Sequence, residues 1–284
     1  MKEFKLNMNF SFIIINYKTP DLTIQCLESI FKYCENESFE IIIIDNNSGY
    51  DSIQKIKNKF DNRISHFIEN KQDLGFAKAN NQGAKLATGK YLYFLNNDTI
   101  LTENILPTIK EIFINNEKIG ILSPLVKNPS GENQKTALGK FPTLLGLISL
   151  AFKVNEKELI PKNKEKLFII DWVSGCSLVI RKNIFDEING WDENFFLYFE
   201  DTDICQRTYS KKHLTAVALN ISLVHLGGQS VKFDENFLEV FYKSRGYYFK
   251  KHYGYITYFL MKTFRFFYSS IIRPLSKKFF PNKN

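Results

Sequence analysis

Short apolar runs alternate with stretches of helically spaced apolar residues through the first part of the chain. Residues 10–15 form one such run. The polar loop Asn16-Tyr17-Lys18-Thr19-Pro20-Asp21 follows, and Leu22, Cys26, Leu27, Ile30 and Phe31 then recur at helical spacing, which predicts strand, loop and helix. Residues 41–44 are consecutive isoleucines, as in a strand buried on both faces, and they stop abruptly at Asp45-Asn46-Asn47-Ser48-Gly49. A third strand is expected over 64–68, a helix over 76–87, and a fourth strand over 91–95 that ends at Asn96-Asn97-Asp98-Thr99. Such repeated strand-plus-helix units predict a mostly parallel sheet flanked by helices, an α/β fold. Further along, a helix is expected over 103–115, a strand over 119–123 and another over 177–180, with a helix running from the segment 191–203 to about Lys212. Residues 127–166 are poorly patterned and are expected to form a flexible acceptor loop or lid. No internal repeat or low-complexity linker intervenes, so the expected organisation is one α/β domain over residues 1–235 with a C-terminal helical extension over 236–284.

In open α/β sheets ligands bind where loops converge at the carboxyl ends of the strands, and both acidic loops fall there. Asp45 caps an apolar strand, where a carboxylate can accept the imide N–H of a pyrimidine; Asp-Asn-Asn-Ser reads equally as an Asx turn. Asp98, beside two asparagines, suits a hard divalent cation shared with diphosphate oxygens, Mg2+ or Mn2+. It also suits the N-cap of the next helix. Glu200, Asp201 and Asp203 follow an aromatic run at 195–199. Acids favour the first turn of a helix, but an acid against aromatic residues is also how a carboxylate acquires the raised pKa of a general base. His225 precedes two glycines, a context in which backbone can approach a ligand closely. His66, His213 and His252 have no such context and are expected to be surface or packing residues.

Composition narrows the class. A 284-residue chain with 44% hydrophobic, 24% charged and 15% aromatic residues is globular and large enough for a substantial core. Its net charge of +8 leaves nucleic acid, anionic membrane and phosphorylated ligands open. Many of the late cations, among them Lys250, Lys262, Arg265 and Lys278, are interleaved with aromatics, which favours a membrane surface, and no nucleic-acid recognition signature accompanies them. The stretch 255–272 is apolar but broken by Lys262 and Arg265, so it is not expected to span a bilayer. On a helical wheel Lys262, Arg265, Ser269, Arg273 and Ser276 form a stripe apart from Phe259, Leu260, Phe264, Phe267, Ile271 and Ile272. Such a helix could lie in the headgroup region of the inner leaflet or pack on the α/β domain. Cys26, Cys34, Cys176 and Cys205 lack paired spacing and are expected to be buried, reduced thiols. Residues 1–9 show no secretory signal, which points to the cytoplasm.

Taken in order, Ile-Ile-Ile-Asn-Tyr-Lys, Ile-Ile-Asp-Asn-Asn-Ser, Leu74-Gly-Phe-Ala-Lys-Ala-Asn-Asn-Gln-Gly83, Leu95-Asn-Asn-Asp-Thr99, Gly190-Trp-Asp-Glu193, Phe196-Leu-Tyr-Phe-Glu-Asp-Thr-Asp203 and His225-Leu-Gly-Gly cover roughly residues 10–230. Together they resemble the family 2 glycosyltransferases of GT-A fold, particularly bacterial rhamnosyltransferase-like enzymes of surface polysaccharide synthesis. The resemblance implies that Asp45 meets the nucleobase, and that Asp98 holds the metal and diphosphate with His225 as a further ligand. It implies Asp201 as general base, with Glu200 and Asp203 as neighbouring candidates. Asn16, Tyr17, Asn47, Lys78, Asn80, Asn81, Asn97 and Gly175 would line the nucleotide-sugar pocket. One departure is Asn96, a neutral residue where the family's Asp-x-Asp begins with an acid. The implied activity is inverting transfer from dTDP-rhamnose or a UDP-sugar, with Mg2+ or Mn2+, to a glycan or lipid-diphosphate-linked acceptor at the cytoplasmic membrane face. A non-catalytic sugar-nucleotide or glycan-binding relative is the alternative. A sugar nucleotidyltransferase is disfavoured because residues 16–20 contain no glycine, and a dinucleotide oxidoreductase because no G-x-G-x-x-G follows the first strand.

Overall fold

The computed structural model describes residues 9–151, 159–160, 166–227, 235–267 and 270. In chain order the elements are β1 (Phe10–Asn16), α1 (Pro20–Cys34), β2 (Phe39–Asp45), α2 (Tyr50–Phe60), β3 (His66–Glu69), α3 (Gly75–Leu86), β4 (Tyr91–Leu95), β5 (Thr99–Leu101), α4 (Leu106–Asn115), β6 (Ile119–Lys127), β7 (Leu138–Gly139), α5 (Leu144–Ala151), β8 (Leu167–Ile170), β9 (Trp172–Val173), β10 (Ser177–Arg181), α6 (Lys182–Glu187), α7 (Glu200–Ser210), β11 (Leu214–His225) and α8 (Glu235–Phe267). Residues 1–8, Gly228 to Ser230, and the tail residues Ser269, Ile271, Ile272, Arg273 and Ser276 lie outside the described residues.

The main sheet runs β3-β2-β1-β4-β10-β6-β11-β5, with β8 also on β11. Strands β3, β2, β1 and β4 are parallel, in the expected register of an α/β unit. Continuous apolar runs arise because both faces are covered. Along β1, Phe10, Phe12 and Ile14 enter one core while Ile13 enters the other; along β2, Ile41 and Ile43 part from Ile42 and Ile44 in the same way. The C-terminal half is mixed. β10 inserts antiparallel between β4 and β6, pairing Ser177 with Leu95, so its entry loop arrives at the carboxyl end of β4. β11 pairs with β5 so that His225 stands opposite Thr99.

Several boundaries differ from expectation for identifiable reasons. α4 starts at Leu106 because Pro107 occupies its first turn, where its missing N–H costs no helical bond, and Asn104 accepts the Leu106 N–H. β6 continues past Pro124 to Lys127 because β11 absorbs the interruption with a register shift between Ala218 and Ser222. The poorly patterned stretch contains β7, which pairs with β9, and α5; residues 152–158 and 161–165 lie outside the described residues.

The helix α8 is broken at Gly254, where φ 82° and ψ 173° are accessible essentially to glycine alone. Its first half packs on the α/β domain through Tyr248 and Phe249 against Phe195, with Phe199 at the border of the cluster. All four cysteines are free and buried, as expected, and burial pushes each thiol up to about 12.

Candidate active site

At the adjoining carboxyl ends of β1 and β2, Asn16 and Asp45 are register partners, and the Asn16 amide donates to Asp45 Oδ2 at 2.6 Å. Asp45 Oδ1 accepts the Ser48 N–H at 2.8 Å, and Asn16 Oδ1 accepts the Thr23 hydroxyl at 2.8 Å. Asp45 is completely buried, so its carboxylate braces the loop in the manner of the turn alternative. Asn47 is exposed with φ 69°. Asn46 and Asp73 are not among the residues expected at the site. Asn46 is buried, donates to Asp73 Oδ1 and accepts the Leu74 N–H at 3.1 Å, while Asp73 remains part-exposed at the start of α3. The adjacency of Asn46 to Asp45 and an acid before a helix were the available signals.

Other expected pocket residues divide by role. Asn97 is buried and donates to the Thr19 and Thr23 hydroxyls at 2.8 and 2.9 Å, tying the end of β4 to the loop containing Tyr17. Asn81 is taken up by the Gly190–Trp191 turn: it accepts the Trp191 N–H at 3.0 Å and donates to the Trp191 carbonyl at 2.9 Å. Asn80 is buried with its amide nitrogen lacking a hydrogen-bond partner, and Lys78 is exposed.

Asp98 and His225 meet because β5 and β11 are paired beside them, and the Leu226 N–H donates to the Asp98 carbonyl at 2.9 Å. His225 Nδ1 lies 2.7 Å from Gln134 Oε1, and a ring that donates to it from Nδ1 alone presents a lone pair at Nε2. Nε2 stands 3.2 Å from Asp98 Oδ1, a buried oxygen that has no hydrogen bond. The contact is close, but its geometry is not that of a hydrogen bond. Two acceptors facing one position fit a divalent cation, and Gln134 orients the imidazole as an outer ligand would. Among the described residues no group of three or more His, Cys, Asp or Glu gathers. A cation that takes one or two carboxylates and completes its shell with phosphate and water is compatible with this pair.

The third component is the start of α7. Tyr198 and Phe199 both have positive φ, 69° and 67°, which is rare for bulky residues and turns Glu200 and Asp201 into the crevice end of the sheet. Asp201 Oδ2 accepts the Gly175 N–H at 3.2 Å, and Oδ1 accepts the Thr202 N–H at 2.7 Å. Cys176, next to Gly175, in turn accepts the Asn96 N–H at 2.9 Å, so two hydrogen bonds link Asp201 to the Asn96–Asp98 loop. Burial raises the Asp201 carboxyl above its ordinary range, against the opposing hydrogen bonds from Gly175 and Thr202. Glu200 is buried with Oε2 lacking a partner, and burial plus the adjacent Asp201 charge raise it well above its ordinary value.

Asp203 stands apart from these two. Its Oδ2 accepts from Arg207 Nε at 2.7 Å, while Oδ1 lies 2.7 Å from His252 Nε2 and 2.6 Å from Lys251 Nζ. Burial alone would push Asp203 up, but His252, Arg207 and Lys251 outweigh it and hold it below the usual range. His252, expected to be a surface or packing residue, is therefore a partner of a buried acid. An open depression of about 600 Å3 lined by Lys90, Arg181, Lys182 and Asp186 lies at the opposite end of β4 and contains none of these residues.

The sequence profile of the family described as Glycosyl transferase family 2 matches residues 11–188, more than half of the chain, and the chain belongs to that family. Among curated relatives, the rhamnosyltransferase WbbL of Escherichia coli is 27% identical over 123 residues, covering 43% of this chain and 46% of the relative. The low-salt glycan biosynthesis hexosyltransferase Agl10 of Haloferax volcanii is 22% identical over 211 residues, covering 70% and 61%. The matches thus span less than two thirds of either relative. Among solved structures, GalNAc-T7 with UDP, GalNAc and Mn2+ superposes with a TM-score of 0.62 at 13% identity, covering 96% of this chain and 58% of that one. The fold is GT-A, as the motifs had implied.

Proposed function

We propose that the protein is an inverting glycosyltransferase that moves a sugar from a dTDP- or UDP-linked donor, with dTDP-rhamnose the first candidate, to a hydroxyl of a glycan or lipid-diphosphate-linked acceptor in surface polysaccharide synthesis. The observation that carries this reading is the part-buried Asp201 carboxylate, held by Gly175 N–H and joined through two hydrogen bonds to the loop of Asp98. In its ionised form Asp201 takes the proton of the acceptor hydroxyl. The acceptor oxygen bonds to the anomeric carbon as the bond from that carbon to the phosphate oxygen breaks, and the nucleoside diphosphate departs from the opposite face. Glu200, raised well above its ordinary value by burial and the neighbouring Asp201 charge, lies buried beside the base, and Asp203 positions α7 through Arg207, Lys251 and His252. Asp98 and His225 would hold Mg2+ or Mn2+, which supplies charge stabilisation to the departing diphosphate. Mn2+ and UDP in the GalNAc-T7 structure support this assignment. The nucleobase is received between the Asp45 loop and α3. There Asp45 braces the loop, and the part-exposed Asp73 carboxylate beside Asn46 is available to an imide N–H. A lipid-linked acceptor places the enzyme at the cytoplasmic membrane face, reached by the extension from residue 236 onward.

The test is binding, slow hydrolysis and transfer with a panel of nucleotide sugars, with and without Mg2+ or Mn2+. One UDP- or dTDP-sugar is expected to bind in a metal-dependent way, and Asp98→Ala should weaken that binding about tenfold or more. Asp201→Asn should retain donor binding and lose about 10²-fold or more in transfer. Failure to bind any donor would refute the activity, and donor binding without turnover by the unaltered protein would select the non-catalytic alternative.

A further inference from the structure

The second half of α8 presents an outward face made of large apolar side chains. After Gly254 the chain turns back on itself: Tyr258 reaches Gly246, where a Cβ would stand 3.1 Å from its ring, and the Arg265 guanidinium lies 3.3 Å from the centroid of the Tyr242 ring. Tyr258 and Met261 thus form the inward face, with Met261 buried against Tyr248 and Phe249. Arg265, expected on the basic stripe, stays exposed while its guanidinium covers the Tyr242 ring. The opposite face carries Tyr255, Ile256, Phe259, Leu260 and Phe267 at positions i, i+1, i+4, i+5 and i+12, a single helical stripe. These side chains are exposed, Ile256 at 79% and Phe259 at 68%. Leu145 of α5, exposed at 79%, adds a second apolar element, and its neighbours Leu144 and Leu147 pack on the same Phe195–Tyr248–Phe249 cluster.

Charge distinguishes among the surfaces that could cover such a face. Residues 236–284 contain ten lysines and arginines against one glutamate, a charge of +9, whereas the whole chain carries +8. The entire excess of positive charge therefore lies in this segment, with Lys250 and Lys262 exposed beside the apolar stripe. Pairing the face with a second copy would bring two such segments together, whereas an anionic lipid surface neutralises them. No helix among the described residues is long and apolar enough to cross a membrane.

We propose that this stripe and Leu145 form a docking platform that seats the protein in the headgroup region of an anionic bilayer, with the second half of α8 lying in the membrane plane. The platform rests on the apolar cluster that borders Phe199, the residue preceding Glu200 and Asp201. This deepens the membrane contact in the proposed function, placing a lipid-linked acceptor beside the general base, yet it requires no turnover to be tested.

The experiment uses the full chain and co-sedimentation with vesicles of phosphatidylcholine alone or mixed with phosphatidylglycerol, without donor, while donor binding is measured separately without vesicles. Partition should favour the mixed vesicles and fall as salt rises. Ile256→Gln with Phe259→Gln should weaken it about tenfold or more, and Leu145→Gln should weaken it independently, both with donor binding unchanged. Lys250→Gln with Lys262→Gln should lower the preference for phosphatidylglycerol. Partition unaffected by the apolar substitutions would overturn the proposal. So would a concentration-dependent dimer that the same substitutions dissociate, since the face would then pair two copies. Vesicle binding without any donor binding would leave the platform standing and refute the glycosyltransferase reading alone.

Discussion

Gly75 shows how closely the candidate site depends on individual backbone positions. Its φ is +74°, and a Cβ there would stand 2.4 Å from the Phe196 carbonyl oxygen, which also accepts the Phe76 N–H at 2.8 Å. Both strain and collision oppose any side chain. Gly75→Ala should therefore cost about 2–3 kcal/mol, visible as a lower midpoint in urea unfolding; an unchanged midpoint would mean that the Phe196 segment moves freely. Asp201 carries a second consequence. A base must be ionised to accept a proton, and burial raises this carboxyl, so activity should increase with pH through an acidic limb above the ordinary carboxylate range of about 4. A kcat/KM profile whose limb falls at that ordinary value would count against Asp201 as the base. Asp98, His225 and Asp201 were legible from their motifs. Gln134, Asn46 and Asp73 were not, because what distinguishes them is the partner each reaches across the fold.

At the scale of elements, α7 is secured by an ion cluster that joins it to α8. Asp203 is fully buried beneath Arg207 of its own helix and Lys251 and His252 of α8. The Arg207 guanidinium also donates to the Ile188 and Gly190 carbonyls, each at 2.7 Å. Removing the acid's charge would leave the part-buried Arg207 without its carboxylate and the fully buried Asp203 site without its ion pairs, so Asp203→Asn should destabilise the protein by about 3 kcal/mol near neutral pH. The folded-state pKa of Asp203 is depressed. Its stabilisation is therefore complete above the unfolded-state value of about 3.9 and is lost as pH falls through the lower folded-state value. Urea titrations of the two proteins should accordingly converge in acid; a difference that stayed constant with pH would exclude this ion cluster as the source. The aromatic run and the three acids before Cys205 were visible in the sequence as a helix start. Which acid faces the crevice and which faces α8 was not, because both Asp201 and Asp203 are acids of the same first turn. The positive φ of Tyr198 and Phe199 then sets the direction in which that turn enters the fold.

Across the whole molecule, two cores cover the two faces of one sheet, and the candidate site gathers at its edge. The parallel half, β3-β2-β1-β4, could be read from apolar runs and helical spacing because strand and helix periodicities are local properties of consecutive residues. The GT-A fold was likewise legible, since its motifs occur in order along the chain. The burial of the cysteines followed from their apolar surroundings. The insertion of β10 between β4 and β6, and the register of β11 on β5, depend on pairings between residues far apart in sequence, which periodicity does not encode. Those pairings bring Gly175 to Asp201 and His225 to Asp98. The turn at Gly254 likewise decides which side of α8 is buried, since the large apolar residues beyond it lie on more than one face of the helix. Local residue patterns were thus sufficient for most elements of the parallel half, but not for β11 or the short elements between β6 and α7, and for the kinds of side chain that carry chemistry. Their juxtaposition, and the choice of which acids are braced and which remain available, came only with the assembled fold, because burial and hydrogen-bond partners are properties of position in space.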